Sequence, residues 1–148
     1  MIGEIAANFR LYDQQGMLFD LYENLTKKVL LVFYPRDNSL VCTMQFKNYQ
    51  SNLDLFDKNN ILPVGINVEN SNSHKNFCDN LGLKFKLLTD ADKAVSKSFG
   101  ALNFLGMNKR KLVLINTDRK IIFEKTTLAI NFIATDDIIK ELKSSNII

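Results

Sequence analysis

Two cysteines, Cys42 and Cys78, are too few for a secreted disulfide framework, and with one histidine, His74, and no C-x-x-C they form no convincing zinc site. Two prolines and six glycines exclude a fibrous repeat or a linker-rich chain. Long apolar runs are missing too. Val29 to Tyr34 and Ile61 to Val64 fall far short of the roughly 18 residues a membrane-spanning helix needs, so no membrane partner is expected. The start, Met1-Ile2-Gly3-Glu4-Ile5, has neither a basic leader with an apolar run nor an Arg-rich presequence, and a cytoplasmic protein is expected. Nor is there a large excess of charge: 19 Lys and Arg against 16 Asp and Glu leave +3, too weak for a dedicated grip on nucleic acid. Gly100 and Gly106 precede no Gly-Lys-Ser or Gly-Lys-Thr, so no phosphate cradle is spelled out.

What is present is an ordinary folding composition, with 46% hydrophobic and 24% charged residues in 148, which predicts one domain spanning residues 1–148. Phe9 to Leu11 and Met17 to Leu21, on either side of Gly16, predict a hairpin of the kind that edges a sheet. Lys28 to Tyr34 is β-branched and aromatic without alternation, as in a strand buried on both faces, and Pro35 closes it. Cys42, Phe46, Tyr49, Leu53 and Phe56 recur at helical spacing, with Ser39 as N-cap and Cys42 in the first turn.

Ile61 to Val68 predicts a second buried strand, and Ser73 a cap for a short helix through Leu81, stopped by Gly82 in the left-handed conformation. Phe85 to Leu88 is extended and Ala91 to Phe99 helical. Lys111 to Asn116 pairs with Ile121 to Leu128 across Thr117-Asp118-Arg119, and Asp136 to Lys143 is a terminal amphipathic helix. Early βαβ units with a closing hairpin and a last helix describe a three-layer α/β/α sandwich, a thioredoxin-like fold with a mixed central sheet.

Composition alone makes Cys42 a small buried hydrophobe. Its position says more. A thiol in the first turn of a helix faces free backbone N–H groups and the positive end of the helix dipole, both of which favour thiolate. That helix springs from the C-terminal end of a buried strand, where open α/β sheets carry their sites.

The run Phe33-Tyr34-Pro35-Arg36-Asp37-Asn38-Ser39-Leu40-Val41-Cys42-Thr43 resembles the peroxidatic-cysteine signature of peroxiredoxins: a proline, three residues, Thr or Ser, two residues, then cysteine. Ser73-His74-Lys75-Asn76-Phe77, Leu87-Leu88-Thr89-Asp90 and Arg110 to Asn116 are similar, in the same order, to later blocks of the peroxiredoxin Q (bacterioferritin comigratory protein) branch, and the resemblance extends from Gly3 to Leu142. It implies a thiol peroxidase acting on hydrogen peroxide or small organic hydroperoxides. Cys42 would be the nucleophile, Ser39 would hold the peroxide, Pro35 would wall the pocket, and Arg110 would pair with thiolate and substrate. The N–H groups of Val41 and Cys42 are further donors aimed at the peroxide oxygens, where charge must be stabilised as the O–O bond breaks. Without the resemblance, Arg110 in Lys109-Arg110-Lys111 reads as one residue of a solvated charge run.

The same resemblance implies that Cys78 resolves the Cys42 sulfenic acid as an intramolecular disulfide, recycled by a thioredoxin-like reductant, in a monomer needing no metal, haem or flavin. Many branch members place the resolving cysteine five residues after the first, where this chain has Lys47; Cys78 fits a variant with that cysteine on the next helix. From its own helix pattern Cys78 can equally be a core residue beside Phe77 and Leu81. Disulfide geometry demands that the first turn after Ser39 and part of the Ser73 to Leu81 helix unwind on oxidation.

Leu40-Val41 stands where Pro-Gly is usual, making the pocket mouth more apolar, and Ala7 where a proline is common. His74 reads as a surface residue rather than a base, since an ionised thiol needs none. Two alternatives stay open: a one-cysteine peroxidase recycled by an external thiol, and a thioredoxin-fold binding or chaperone module without turnover.

Overall fold

Apolar side chains on consecutive residues of one strand can all be buried only if both faces of the sheet are covered, and strand β3 (Lys28–Phe33) shows how. Leu30 and Val32 enter one core cluster; Val29, Leu31 and Phe33 enter a second on the opposite face. The structure, a computed structural model, describes residues 1–148.

Around β3 lie β4 (Ile61–Asn67), β5 (Leu87–Thr89), β6 (Arg110–Ile115) and β7 (Ile121–Thr127), in the order β5-β4-β3-β6-β7. β3, β4 and β5 run parallel, whereas β6 and β7 are antiparallel to their neighbours. The expected mixed sheet between two layers is therefore present. One face is packed by α1 (Leu40–Ser51), α2 (Leu53–Lys58), α3 (Ser71–Leu81) and α5 (Thr135–Ser144), which bring Phe46, Tyr49, Phe56, Phe77, Ile138 and Leu142 to the sheet. The N-terminal segment and α4 (Ala94–Ser98) cover the other with Phe9, Phe19, Val95 and neighbouring Phe99.

Several boundaries differ from expectation. The N-terminal hairpin, β1 (Arg10–Tyr12) with β2 (Leu18–Asp20), forms its own two-stranded sheet and does not edge the main one. The helix predicted from Cys42 to Phe56 breaks at Asn52, whose backbone leaves the helical region and whose amide donates back to the Asn48 carbonyl at 2.7 Å. α3 begins earlier than its apolar pattern suggests because Asn70, not Ser73, is its cap, accepting from the Ser73 N–H at 2.9 Å. Its stop at Gly82, φ +62°, is where the sequence puts it. α4 is shorter than Ala91 to Phe99, since the Asp90 carboxylate binds the N–H groups of Val95 and Ser96 and ties down the preceding turn.

Two features of this scaffold set up the site. Because β6 runs antiparallel to β3, with Lys111 opposite Phe33, its first residue, Arg110, lies beside the C-terminal end of β3, from which the chain departs into α1. Gly65 on β4 leaves the sheet bare under Phe46: a Cβ there would lie 2.5 Å from Leu87 and 3.0 Å from the Phe46 ring. That close approach seats α1 low on the sheet.

Candidate active site

Cys42 occupies the third helical position of α1 and is fully buried. Ser39 caps the helix as predicted, its Oγ accepting from the Cys42 N–H at 3.3 Å. That contact corrects one expectation: the cap uses the Cys42 N–H, leaving the Leu40 and Val41 N–H groups as the free backbone donors of the turn. Ser39 retains its own hydroxyl proton for another acceptor.

Arg110 leaves the charge run in which the sequence shows it. Strand alternation exposes Lys109 and turns Arg110 inward, where it is only 4% exposed. Its Nη1 stands 3.3 Å from Cys42 Sγ and donates to Gln45 Oε1 at 2.7 Å, while Nε and Nη2 donate to the Ala129 carbonyl at 3.3 and 2.9 Å. A guanidinium spread over these contacts is fixed in orientation, and its charge lies against the sulfur with little water between. The N-terminus of α1 adds its dipole on another side of the same atom.

Sequence reasoning missed Gln45. It lies three residues after Cys42, on the same side of α1, is buried, and holds Arg110 through Oε1 while its Nε2 donates to the Tyr49 hydroxyl at 3.1 Å. Tyr49 donates in turn to the Ile133 carbonyl at 2.8 Å, and burial pushes its phenol well above the ordinary value. The signal available was the helical spacing from Cys42, but a period counted on apolar residues stepped over a glutamine.

Pro35, Arg36, Ser39, Leu40, Val41, Arg110 and Ala129 line a hollow at the start of α1, and a second hollow, lined in part by Met107, Thr126 and Leu128, meets it at Pro35, Arg110 and Ala129. Pro35 thus forms a wall of this depression, and Leu40, largely exposed, forms its apolar lip. Another hollow, bounded by Lys27, Leu53, Ile61, Leu62 and Phe85, is lined by no cysteine, serine or threonine. No three His, Cys, Asp or Glu side chains converge as a metal-ligand set.

His74 is not at the surface. It is fully buried on α3, with Nδ1 2.7 Å from Asp37 Oδ2 and Nε2 3.1 Å from the Leu88 carbonyl, partners distant in sequence that local reading cannot supply. Burial works to raise Asp37, but hydrogen bonds and charge from His74, with Ser73 and Tyr34, hold its carboxyl below the usual range. Tyr34 is raised well above its ordinary value, by burial first and then by the Asp37 charge.

Cys78 lies four residues after His74 on α3, buried in the same core cluster as Cys42. Tyr34, Phe46 and Phe77 pack between α1 and α3, their ring centroids 4.6 to 6.2 Å apart. Burial, and then the negative charges of Asp37, Asp79 and Asp13, push the Cys78 thiol up to about 12. Both cysteines are free. Lys47, at the position where branch relatives carry a cysteine, is exposed on α1.

The profile of the AhpC/TSA family matches residues 2–124. A putative peroxiredoxin bcp of Helicobacter pylori (strain J99 / ATCC 700824) is 36% identical over 123 residues, covering 78% of this chain and 81% of that protein. Peroxiredoxin Bcp of Escherichia coli (strain K12) is 32% identical over 126 residues, 80% of this chain and 81% of its own length. Among solved structures, the crystal structure of peroxidoxin BcpB from Mycobacterium tuberculosis superposes with a TM-score of 0.86 at 27% identity, covering 99% of this chain and 97% of that one.

Proposed function

We propose, from the premise that this chain belongs to the AhpC/TSA family and is a thiol-dependent peroxidase of the peroxiredoxin Bcp and Q kind, that Cys42 is its peroxidatic nucleophile. The observation that carries the assignment is the Arg110 guanidinium 3.3 Å from the Cys42 sulfur, at the N-terminal turn of a helix. A free thiol is only a few per cent ionised at neutral pH, and the thiolate is the species that attacks. Attack on one peroxide oxygen forms the S–O bond and breaks O–O; the other oxygen departs and is protonated to water or alcohol, leaving the sulfenic acid. Arg110, the Ser39 hydroxyl and the Val41 N–H are the donors suited to the charge that spreads over the two oxygens, and Pro35 shapes the wall beside them.

Substrates are hydrogen peroxide and small organic hydroperoxides that fit the hollow between Pro35 and Ala129. Cys78 resolves the sulfenic acid as an intramolecular disulfide with Cys42, and a thioredoxin-like dithiol reopens it. Its burial and raised titration keep Cys78 unreactive in the closed fold, so resolution waits on local opening of the first turn of α1 and part of α3. The enzyme works as a monomer in the cytoplasm, where a reducing milieu keeps both thiols free between cycles.

Peroxide-dependent turnover with thioredoxin and its reductase tests this on wild type, Cys42→Ser and Cys78→Ser. Cys42→Ser is expected to lose peroxide consumption entirely; retained consumption sinks the nucleophile assignment. Cys78→Ser is expected to stall thioredoxin turnover yet still undergo one oxidation. The burial of Cys78 within an intact helix favours a second reading, a one-cysteine enzyme recycled by an external thiol. Mass spectrometry separates them: an intramolecular disulfide loses two hydrogens, whereas the one-cysteine enzyme gains oxygen or a thiol adduct.

A further inference from the structure

The two cysteine-bearing segments are joined by a buried side-chain pair that no role above employs. Asp37 lies on the loop between β3 and α1, five residues before Cys42, and His74 lies on α3, four before Cys78. Both side chains are 0% exposed. Asp37 Oδ2 meets His74 Nδ1 at 2.7 Å and lies 2.6 Å from Ser73 Oγ. Oδ1 accepts from the Tyr34 hydroxyl at 2.5 Å and from Asn67 Nδ2 at 3.4 Å.

These partners determine where the protons lie. The Leu88 carbonyl can only accept, so His74 Nε2 carries a hydrogen. Nδ1 faces the Asp37 carboxylate, which also accepts from the Tyr34 hydroxyl and the Asn67 amide, so a hydrogen lies between Nδ1 and Oδ2. The contact is a hydrogen-bonded imidazole–carboxylate pair sealed inside the protein. Glu69 adds acidity around it: Oε1 accepts the Asp37 N–H at 3.0 Å, and Oε2 lies 2.6 Å from Ser73 Oγ, which has a single proton for two acidic neighbours.

Beyond the pair, both segments are built to yield. Asn38 holds φ +60°, a left-handed conformation strained for a residue with a side chain. The side-chain cap of α1 is one 3.3 Å contact, and Leu40 at its start is 76% exposed. On α3, Lys75, Asn76, Asp79 and Asn80 are all exposed. Separating a pair with no access to water is costly, so opening runs through the chain on the C-terminal side of each partner rather than through the contact itself.

Resting on the reading of Cys78 as the resolving thiol, we propose that Asp37 and His74 are positioning residues, a hinge that stays shut while the two segments beyond it unwind and swing their cysteines together. Five extended residues reach roughly 17 Å and four roughly 14 Å, so two sulfurs tethered to one anchor can meet. Without the anchor, each opened segment is tethered only to its own strand, and the effective concentration of one thiol at the other falls. In the step so assisted, the Cys78 sulfur attacks the sulfenic sulfur of Cys42. The S–S bond forms, the S–O bond breaks, and the oxygen leaves with the thiol proton as water; Cys78 is oxidised and the sulfenic sulfur reduced.

The chain has one histidine, so imidazole signals in ¹H–¹⁵N spectra belong to His74. In wild type, a slowly exchanging Nδ1–H is expected in the reduced and in the disulfide form; its disappearance from the disulfide form overturns the hinge and needs no variant. His74→Gln, which can donate but carries no charge, is expected to slow disulfide formation after one equivalent of peroxide at least tenfold. It should also send Cys42 on to sulfinic acid at peroxide concentrations where wild type forms the disulfide. Both are read by quenched-flow mass spectrometry, with the first oxidation staying within threefold of wild type, a split that mere loss of stability does not produce. Disulfide formation at the wild-type rate in His74→Gln overturns the hinge while leaving Cys78 as resolver. Absence of any Cys42–Cys78 disulfide in wild type removes the resolver, and the hinge with it.

Discussion

Arg110 shows how much of the proposed chemistry rests on single atoms. Its Nη1 is shared between the Cys42 sulfur and Gln45, and its other nitrogens are anchored on the Ala129 carbonyl. Removing a fixed donor from a site of developing negative charge costs roughly 10²- to 10³-fold in rate. Arg110→Ala is expected to lower the second-order rate constant of Cys42 oxidation by about that much in stopped-flow measurements; a loss under threefold would assign the stabilisation elsewhere. Gln45→Leu, which leaves the guanidinium without its side-chain acceptor, is expected to cost about tenfold, in line with about 1.5 kcal/mol for a hydrogen bond to a charged group. At this scale the resemblance named Pro35, Ser39 and Cys42 from one motif and Arg110 from a later block, and the four lie together at the start of α1. Gln45 and the buried state of His74 are not legible in this way, since what defines them is a contact: Gln45 on α1 with Arg110 on β6, and His74 with Asp37 and the Leu88 carbonyl.

At the scale of elements, the apolar pattern located every main-sheet strand and most of the helices, because burial on both faces leaves uninterrupted runs such as Val29 to Phe33. It failed at ends. The break at Asn52, the cap at Asn70 and the Asp90 anchor before α4 are side-chain-to-backbone hydrogen bonds, which carry no hydrophobic period. The stacking of α1 on β4 depends on a residue with no side chain. Gly65→Ala would press a methyl group against Leu87 and Phe46, both fully buried, and such overpacking costs about 1–3 kcal/mol. Urea denaturation is expected to show that loss, together with slower Cys42 oxidation as α1 lifts; an unchanged midpoint would mean the rings yield freely.

Across the whole molecule, buried titratable groups shape the pH dependence of stability. Asp13 and Asp37 are lowered: burial opposes ionisation in both, but Lys86 and backbone N–H groups outweigh it at Asp13, and His74, Ser73 and Tyr34 at Asp37. A lowered carboxyl stabilises the fold above its unfolded value, about 3.9, and that contribution fades as pH falls through the folded values. Cys78 runs the other way. Burial and neighbouring carboxylates raise it to about 12, so the folded state keeps a proton that the unfolded state releases. Its contribution is fully present below about 8.5, the unfolded value, and is lost as pH rises from there toward 12. Thermal midpoints of the reduced protein are therefore expected to be flat from about pH 5 to 8 and to fall on either side, with Cys78→Ala flattening part of the alkaline slope; an alkaline limb identical in that variant would locate the proton elsewhere.

Synthesis on the ribosome meets these residues in an awkward order. The sulfur at position 42 emerges early, its guanidinium partner at 110 much later, and the carbonyl that steadies that partner, at 129, later still, with Ile133 and α5 after it. For most of translation the nascent chain carries an ordinary, unassisted thiol. On the proposed assignment, competence to destroy oxidant arises only near the end, when the last segment closes over the rings packed around Phe46, and any fragment cut short before it would emerge with Cys42 lacking its guanidinium neighbour.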